Sequence, residues 1–184
     1  QTFRPTSCGK AVDRMEIRID SSDPFNQVGE ILTKGMNVMD GYYNNPEASN
    51  TVLSPDGWLH TGDLGVLDPD GYLYIKGRSK SLILGPSGQN IYPEEIEDLL
   101  NAQPYIAESL VIEREGKLVA LVYPDAEAMK QNKISRETLL KIIHETRKQI
   151  NQQLPAYSQI ARIEIHDEEF EKTPKRSIKR FLYQ

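Results

Sequence analysis

Residues 58–80 read Trp58-Leu59-His60-Thr61-Gly62-Asp63-Leu64-Gly65-Val66-Leu67-Asp68-Pro69-Asp70-Gly71-Tyr72-Leu73-Tyr74-Ile75-Lys76-Gly77-Arg78-Ser79-Lys80. Pro69-Asp70-Gly71 is a strong turn signal, so residues 63–68 and 72–76 are expected to pair as a hairpin. Thr61-Gly62-Asp63 carries turn chemistry. A single carboxylate on a turn accepts hydrogen bonds from two neighbouring hydroxyls of a sugar, which fits Asp63 to that task. Arg78 is a permanent cation with several donors, suited to ribose or phosphate oxygens. Taken alone, each short stretch also reads as a turn or a solvated strand end, and their order and spacing carry the argument.

Towards the N-terminus the chain is β-rich. Met15, Ile17 and Ile19 alternate with charged residues, the period of a half-buried strand, and Ser21-Ser22-Asp23-Pro24 closes it. Residues 29–35 form a second strand between glycines, and Pro46 suits a short helix start. Beyond Lys80 the pattern changes. Leu82-Ile83-Leu84 is a short apolar strand, and Gly85-Pro86-Ser87-Gly88 a loop. Pro93 and the acids behind it open a helix with Ile96, Leu99 and Leu100 on one face. Residues 110–114 and 117–123 pair around Glu115-Gly116. Ser135 caps a long helix striped by Leu139, Ile142, Ile143, Thr146 and Ile150, which ends at Leu154-Pro155-Ala156-Tyr157. Residues 160–165 alternate as a strand, and a basic tail follows. The expected fold class is α+β: a β-rich subdomain over 1–79, then an α+β domain over 80–184 with helices on one side of a small mixed sheet.

The 184 residues fit one large domain or two small ones, and 38% hydrophobic residues fill a core. A net charge of −5 gives no basic footprint for nucleic acid. The single cysteine, Cys8, excludes an internal disulfide framework and a cysteine-built zinc site, in keeping with a reducing, cytoplasmic setting. No apolar run reaches the length of a membrane span, and the first residues have no signal-peptide core. His60, His144 and His166 are far apart, so no metal site is expected from them.

Trp-x-x-Thr-Gly-Asp followed by Asp-Gly-Tyr-x-x-x-x-Gly-Arg-x-Lys resembles the ribose-binding and hinge segments of AMP-forming acyl-CoA synthetases, members of the adenylate-forming enzymes. The Gly29-Glu30 strand leading to Gly41-Tyr42-Tyr43 and Pro46-Glu47 is similar to the same enzymes. So are residues 87–97, Leu154-Pro155-Ala156-Tyr157 and Glu171-Lys172-Thr173-Pro174. The tail closing on Ile178-Lys179-Arg180-Phe181-Leu182-Tyr183 looks most like the long-chain fatty acid–CoA ligases.

The resemblance implies a two-step ligase. A carboxylate, here a fatty acid, attacks the α-phosphate of ATP to give acyl-AMP and pyrophosphate; CoA thiol then displaces AMP. It assigns Asp63 and Arg78 to the AMP ribose, Lys80 to a hinge about which the C-terminal domain turns, and Ser87, Gly88, Gln89 and Asn90 to a loop facing CoA. Gly88 allows the backbone to approach a thin pantetheine chain. The phosphate loop, the acyl pocket and the Mg2+ ligands of such enzymes lie upstream of the matching segments. The chain therefore corresponds to a C-terminal third, a truncated or proteolytic piece whose partner is the missing N-terminal domain, and it is expected to be inactive alone. A stand-alone nucleotide- or CoA-binding module and a protein-interaction domain are the alternatives. One departure matters: the family's adenylation lysine falls at Ser177, which supplies no positive charge. Lys175 and Lys179 are the candidate substitutes, both reaching the position of Ser177 if the tail is extended.

Overall fold

The alternation in 15–19 and the glycines bounding 29–35 are realised as β1 (Met15–Asp20) and β2 (Gly29–Gly35), paired antiparallel from Met15↔Gly35 to Asp20↔Glu30. The computed structural model describes residues 3–184. The chain falls into two units, Gln1–Lys80 and Ser81–Gln184.

In the first unit, β3 (Leu59–Leu67) and β4 (Leu73–Arg78) complete an antiparallel sheet in the order β1-β2-β3-β4. The turn joining them is fixed by Asp68, whose Oδ1 accepts from the backbone N–H of Asp70 and of Tyr72, each at 2.9 Å. Gly71 sits there at φ +83°, a conformation that favours glycine. Ile19, Ile31 and Leu73 are buried together, with Ile17 and Leu67 against them. Gly65 is needed for closeness: a Cβ would stand 2.7 Å from the Tyr74 carbonyl oxygen and 2.9 Å from Ile31 Cδ1. Helix α1 (Pro46–Val52) starts as expected at Pro46, capped by Asn45 accepting from Ala48 N–H at 3.0 Å.

In the second unit, β5 (Ile83–Leu84) and β6 (Asn90–Ile91) make a small hairpin before α2 (Pro93–Asn101). Then come β7 (Ile106–Arg114), β8 (Lys117–Pro124), α3 (Ala126–Gln131), α4 (Arg136–Gln153) and β9 (Ile160–Ile165). The sheet is mixed, as expected: β7 runs antiparallel to β8, and β9 parallel to it. Side chains alternate across it. Val111, Ala120, Val122 and Ile160 pack with Ile96 and Leu100 of α2 and Leu139, Ile143 and Ile150 of α4. Leu110, Ile112, Val119 and Leu121 face the other way, where Phe170 is buried on them with Ile178 and Tyr183 alongside. Phe170 and Tyr183 meet edge to face at 5.3 Å.

The helices thus lie on one face, and the C-terminal segment covers the other. The sequence suggests a basic tail there, because the anchoring Phe170, Ile178 and Tyr183 are spaced too irregularly to show a period. Also not read from it is α3, six residues begun by an Asp125 cap on Ala128 N–H at 2.9 Å. Among the described residues no helix is long and apolar enough to cross a membrane.

Candidate nucleotide and CoA sites

Strand β3 does not run straight against β2. Glu30 pairs with Leu64 and Leu32 with His60, so Ile31 alone faces the three residues Thr61, Gly62 and Asp63. The tripeptide is a bulge inside β3, not the free-standing turn the sequence reading expected, and Gly62 takes φ +73° within it. A bulge leaves backbone groups without ladder partners, and side chains supply them here. Thr61 Oγ1 donates to the Ile31 carbonyl at 2.7 Å, and Ser79 Oγ to the Gly62 carbonyl at 3.1 Å. Glu30 Oε1 accepts the Gly62 N–H at 2.9 Å, and Glu30 Oε2 lies 2.8 Å from His60 Nδ1.

The bulge sets Asp63 opposite Arg78 on β4, with Arg78 Nε 2.8 Å from Asp63 Oδ1. The two candidate ribose ligands are therefore brought together. The pair is partly exposed, at 32% for Asp63 and 66% for Arg78. At that exposure it contributes little stability, but it holds a carboxylate and a fork of donors side by side at the surface. Lys80 follows in a single 3-10 turn (Ser79–Ser81), exposed.

Ser87, Gly88, Gln89 and Asn90 lie between and on β5 and β6. The loop is closed by Gly85 N–H to the Gln89 carbonyl at 2.8 Å and Gly88 N–H to the Gly85 carbonyl at 2.9 Å. Gly88 is at φ +80° with nothing within 4 Å of where a Cβ would stand. Beside the loop is a cleft of about 470 Å³, whose walls include Gly85, Ser87, Gln89, Gly116, Lys117 and Tyr157. Gln89 Oε1 is buried in this wall without a hydrogen-bond partner. Lys117 was not singled out by sequence, and Tyr157 only as the end of the Leu154-Pro155-Ala156-Tyr157 motif; both come from chain segments remote from the loop.

The tail is not extended at Ser177. Lys172 bridges Ile178, Thr173 N–H donates to the Ser177 carbonyl at 2.9 Å, and Arg176 N–H donates to the Thr173 carbonyl at 2.8 Å. Pro174, Lys175 and Arg176 form the tip of a tight hairpin, with Arg176 at φ +61°. The shared-side geometry for 175, 177 and 179 is thereby overturned, because Thr173 and Pro174 favour a turn over an extended run. Lys179 is tied to Glu171 at 3.1 Å, and Lys172 is held between Glu108 (2.7 Å) and Glu169 (2.5 Å). Lys175 is exposed and has no hydrogen bond or ion pair among the described residues.

Two residues fixing the tail were not recognised from sequence. Arg180 meets the Glu97 carboxylate, donates to the Val111 carbonyl at 3.3 Å and lies 3.5 Å from Glu94. Glu97 also accepts the Val111 N–H at 2.6 Å. Burial pushes the Glu97 carboxyl above the usual range, against the opposing pull of Arg180 and of the Val111 hydrogen bond.

The pattern described as AMP-binding enzyme C-terminal domain matches residues 80–183. The chain belongs to this family of AMP-binding enzymes. It is 44% identical over 124 residues to an indoleacetate–CoA ligase of Aromatoleum aromaticum, a match covering 63% of this chain and 24% of that ligase. It is 39% identical over 123 residues to a long-chain-fatty-acid–CoA ligase of Gallus gallus, covering 66% and 16%. Among solved structures, the O-succinylbenzoate coenzyme A synthetase of Bacillus subtilis in complex with AMP superposes with a TM-score of 0.76 at 29% identity, over 98% of this chain and 36% of that one. The chain thus spans about a quarter or less of the two curated relatives, and it corresponds to a C-terminal part of an AMP-binding enzyme.

Proposed function

We propose that the chain is the C-terminal portion of an AMP-forming acid–CoA ligase, with residues 1–79 ending its large N-terminal domain and 80–184 forming a mobile domain that turns at Lys80. The observation that carries this reading is the Asp63–Arg78 pair, presented on the bulge of β3 within a chain of this family. Asp63 accepts hydrogen bonds from the ribose hydroxyls of ATP and then AMP, while Arg78 orients the carboxylate and donates to nucleotide oxygens. The loop of Ser87, Gly88, Gln89 and Asn90 faces CoA. Its support is the open approach at Gly88 and the unpartnered Gln89 Oε1 in the adjoining cleft.

The chemistry is activation of a carboxylate as its adenylate, followed by transfer to the CoA thiol. Within that class the acyl group we propose is a fatty acid, on the character of the tail 171–183 and the long-chain relative. Among the described residues no cluster of three His, Cys, Asp or Glu side chains is placed to hold a metal ion.

The test is nucleotide titration of the full-length ligase carrying Asp63→Ala. ATP and AMP binding weaken by about 1–3 kcal/mol, the scale of lost charge-assisted hydrogen bonds. Unchanged affinity for both removes Asp63 from the site.

A further inference from the structure

Glu30 stands one strand away from Asp63, in a part of the chain to which no role has been given. Its carboxylate spans the bulge. One oxygen takes the Gly62 N–H at 2.9 Å and the other faces His60 Nδ1 at 2.8 Å. These are the residues immediately before Asp63 and on the N-terminal shoulder of the bulge. The ladder gives Gly62 no partner on β2, because Ile31 is the single residue opposite Thr61, Gly62 and Asp63, and its carbonyl is already taken by Thr61 Oγ1 at 2.7 Å. Side chains thus hold the peptides on both sides of Gly62, Glu30 through the Gly62 N–H and Ser79 Oγ through the Gly62 carbonyl at 3.1 Å. Gly62 itself, at φ +73°, sets the direction in which the next Cα projects the Asp63 carboxylate. Thr61 Oγ1 also accepts the Asp63 N–H at 3.1 Å, so the network reaches Asp63 itself.

We propose that Glu30 is a positioning residue for the nucleotide site: its carboxylate locks the bulge of β3 so that Asp63 is held in register with the ribose hydroxyls. A geometry-dependent contact loses most of its strength when its support loosens by about an ångström. The inference rests on the assignment of Asp63 to the ribose, and deepens it.

The probe is AMP against its 2′,3′-dideoxy analogue, titrated into the full-length ligase and into its Asp63→Ala, Glu30→Ala and Glu30→Gln variants. Glu30→Ala lowers AMP affinity about tenfold and leaves the dideoxy analogue within about twofold, because only the hydroxyl contacts depend on the bulge. Glu30→Gln stays close to the parent, since its amide oxygen accepts the Gly62 N–H and its NH2 group donates to His60. An equal loss for both ligands in Glu30→Ala marks general damage and overturns the proposal. Glu30→Gln as poor as Glu30→Ala also overturns it, by showing that charge and not position is at stake. If Asp63→Ala discriminates between the two ligands and Glu30→Ala does not, only the positioning claim falls. If Asp63→Ala does not discriminate, the ribose assignment falls and takes this proposal with it.

Discussion

Arg180 closes on the carboxylate of Glu97, tying the last residues of the chain to helix α2 and, through the Val111 carbonyl, to strand β7. Glu97 is buried, and Arg180 shows only 20% of its side chain. Removing one member of such a pair leaves the other charge buried alone. Arg180→Ala is therefore expected to destabilise the second unit by about 3 kcal/mol. Far-UV helix signal in a urea titration reads mainly this unit, which holds α2, α3 and α4 against the short α1 of the first, while the fluorescence of Trp58, the only tryptophan, reads the first. Loss in the Trp58 transition with none in the helix transition would contradict the assignment. Combining Arg180→Ala with Glu97→Leu recovers much of the loss, since no buried charge then remains.

The same carboxyl gives a pH dependence of definite sign. Burial raises the Glu97 pKa in the folded chain, so between the unfolded and folded values the native state holds a proton that the unfolded state has released. Glu97's contribution is fully favourable below the usual carboxylate range and declines as pH rises through the window up to its raised value. Urea midpoints for the helix signal, taken from mildly acidic to neutral pH, should show this fall flattened in Glu97→Gln. An identical slope in the variant would exclude Glu97 as its source.

Much of this architecture was legible because burial leaves a period. Met15, Ile17 and Ile19, and the stripe from Leu139 to Ile150, announce their elements directly. The candidate site was read by a different route, the order of Thr61-Gly62-Asp63, Gly77-Arg78 and the later motifs. What remained hidden was produced by pairing register and by contacts between distant residues. A three-against-one bulge depends on how β3 meets β2, which no local pattern in 59–67 encodes. Glu30 read as a strand residue and Glu97 as a helix N-terminal acid, because their partners Gly62 and Arg180 are 32 and 83 positions away.

Close approach at Gly65 makes a separate prediction. A methyl group there has to displace backbone, the Tyr74 carbonyl, as well as the Ile31 side chain. Gly65→Ala should destabilise the first unit by about 1–3 kcal/mol, the range for overpacking, visible in the Trp58 transition. Gly71→Ala, with open space but φ +83°, should cost about 1 kcal/mol through strain alone. If the two substitutions are equally mild, the tight packing of β3 on β4 at Gly65 is wrong.

Arg78, Ser79 and Lys80 are all exposed, and the division of the chain falls directly after them. Brief trypsin treatment is expected to cut first after Arg78 or Lys80 and to leave a resistant fragment beginning near Ser79 or Ser81. First cuts within α4, despite its several lysines and arginines, would argue against 81–184 as a unit that stands by itself.

In the proposed ligase the resemblance puts the adenylation cation at Ser177, which carries no charge. The hairpin at 173–177 changes the grounds on which a substitute is chosen. Extended spacing no longer favours any residue, and availability decides. Lys172, Lys179 and Arg180 are each engaged by carboxylates, whereas Lys175 and Arg176 sit exposed at the turn tip without an ion pair among the described residues; of the two, only Lys175 is a lysine like the family's cation. Recruiting Lys179 costs its contact with Glu171; recruiting Lys175 costs only the rotamer freedom of an exposed chain. In the full-length ligase, Lys175→Ala should slow carboxylate-dependent pyrophosphate release about a hundredfold, the scale of losing one charge-stabilising donor. Thioester formation from preformed acyl-AMP, which does not need that cation, should change little. Lys179→Ala should affect both assays slightly. Equal, small effects of the two variants on pyrophosphate release would remove Lys175 from the reaction.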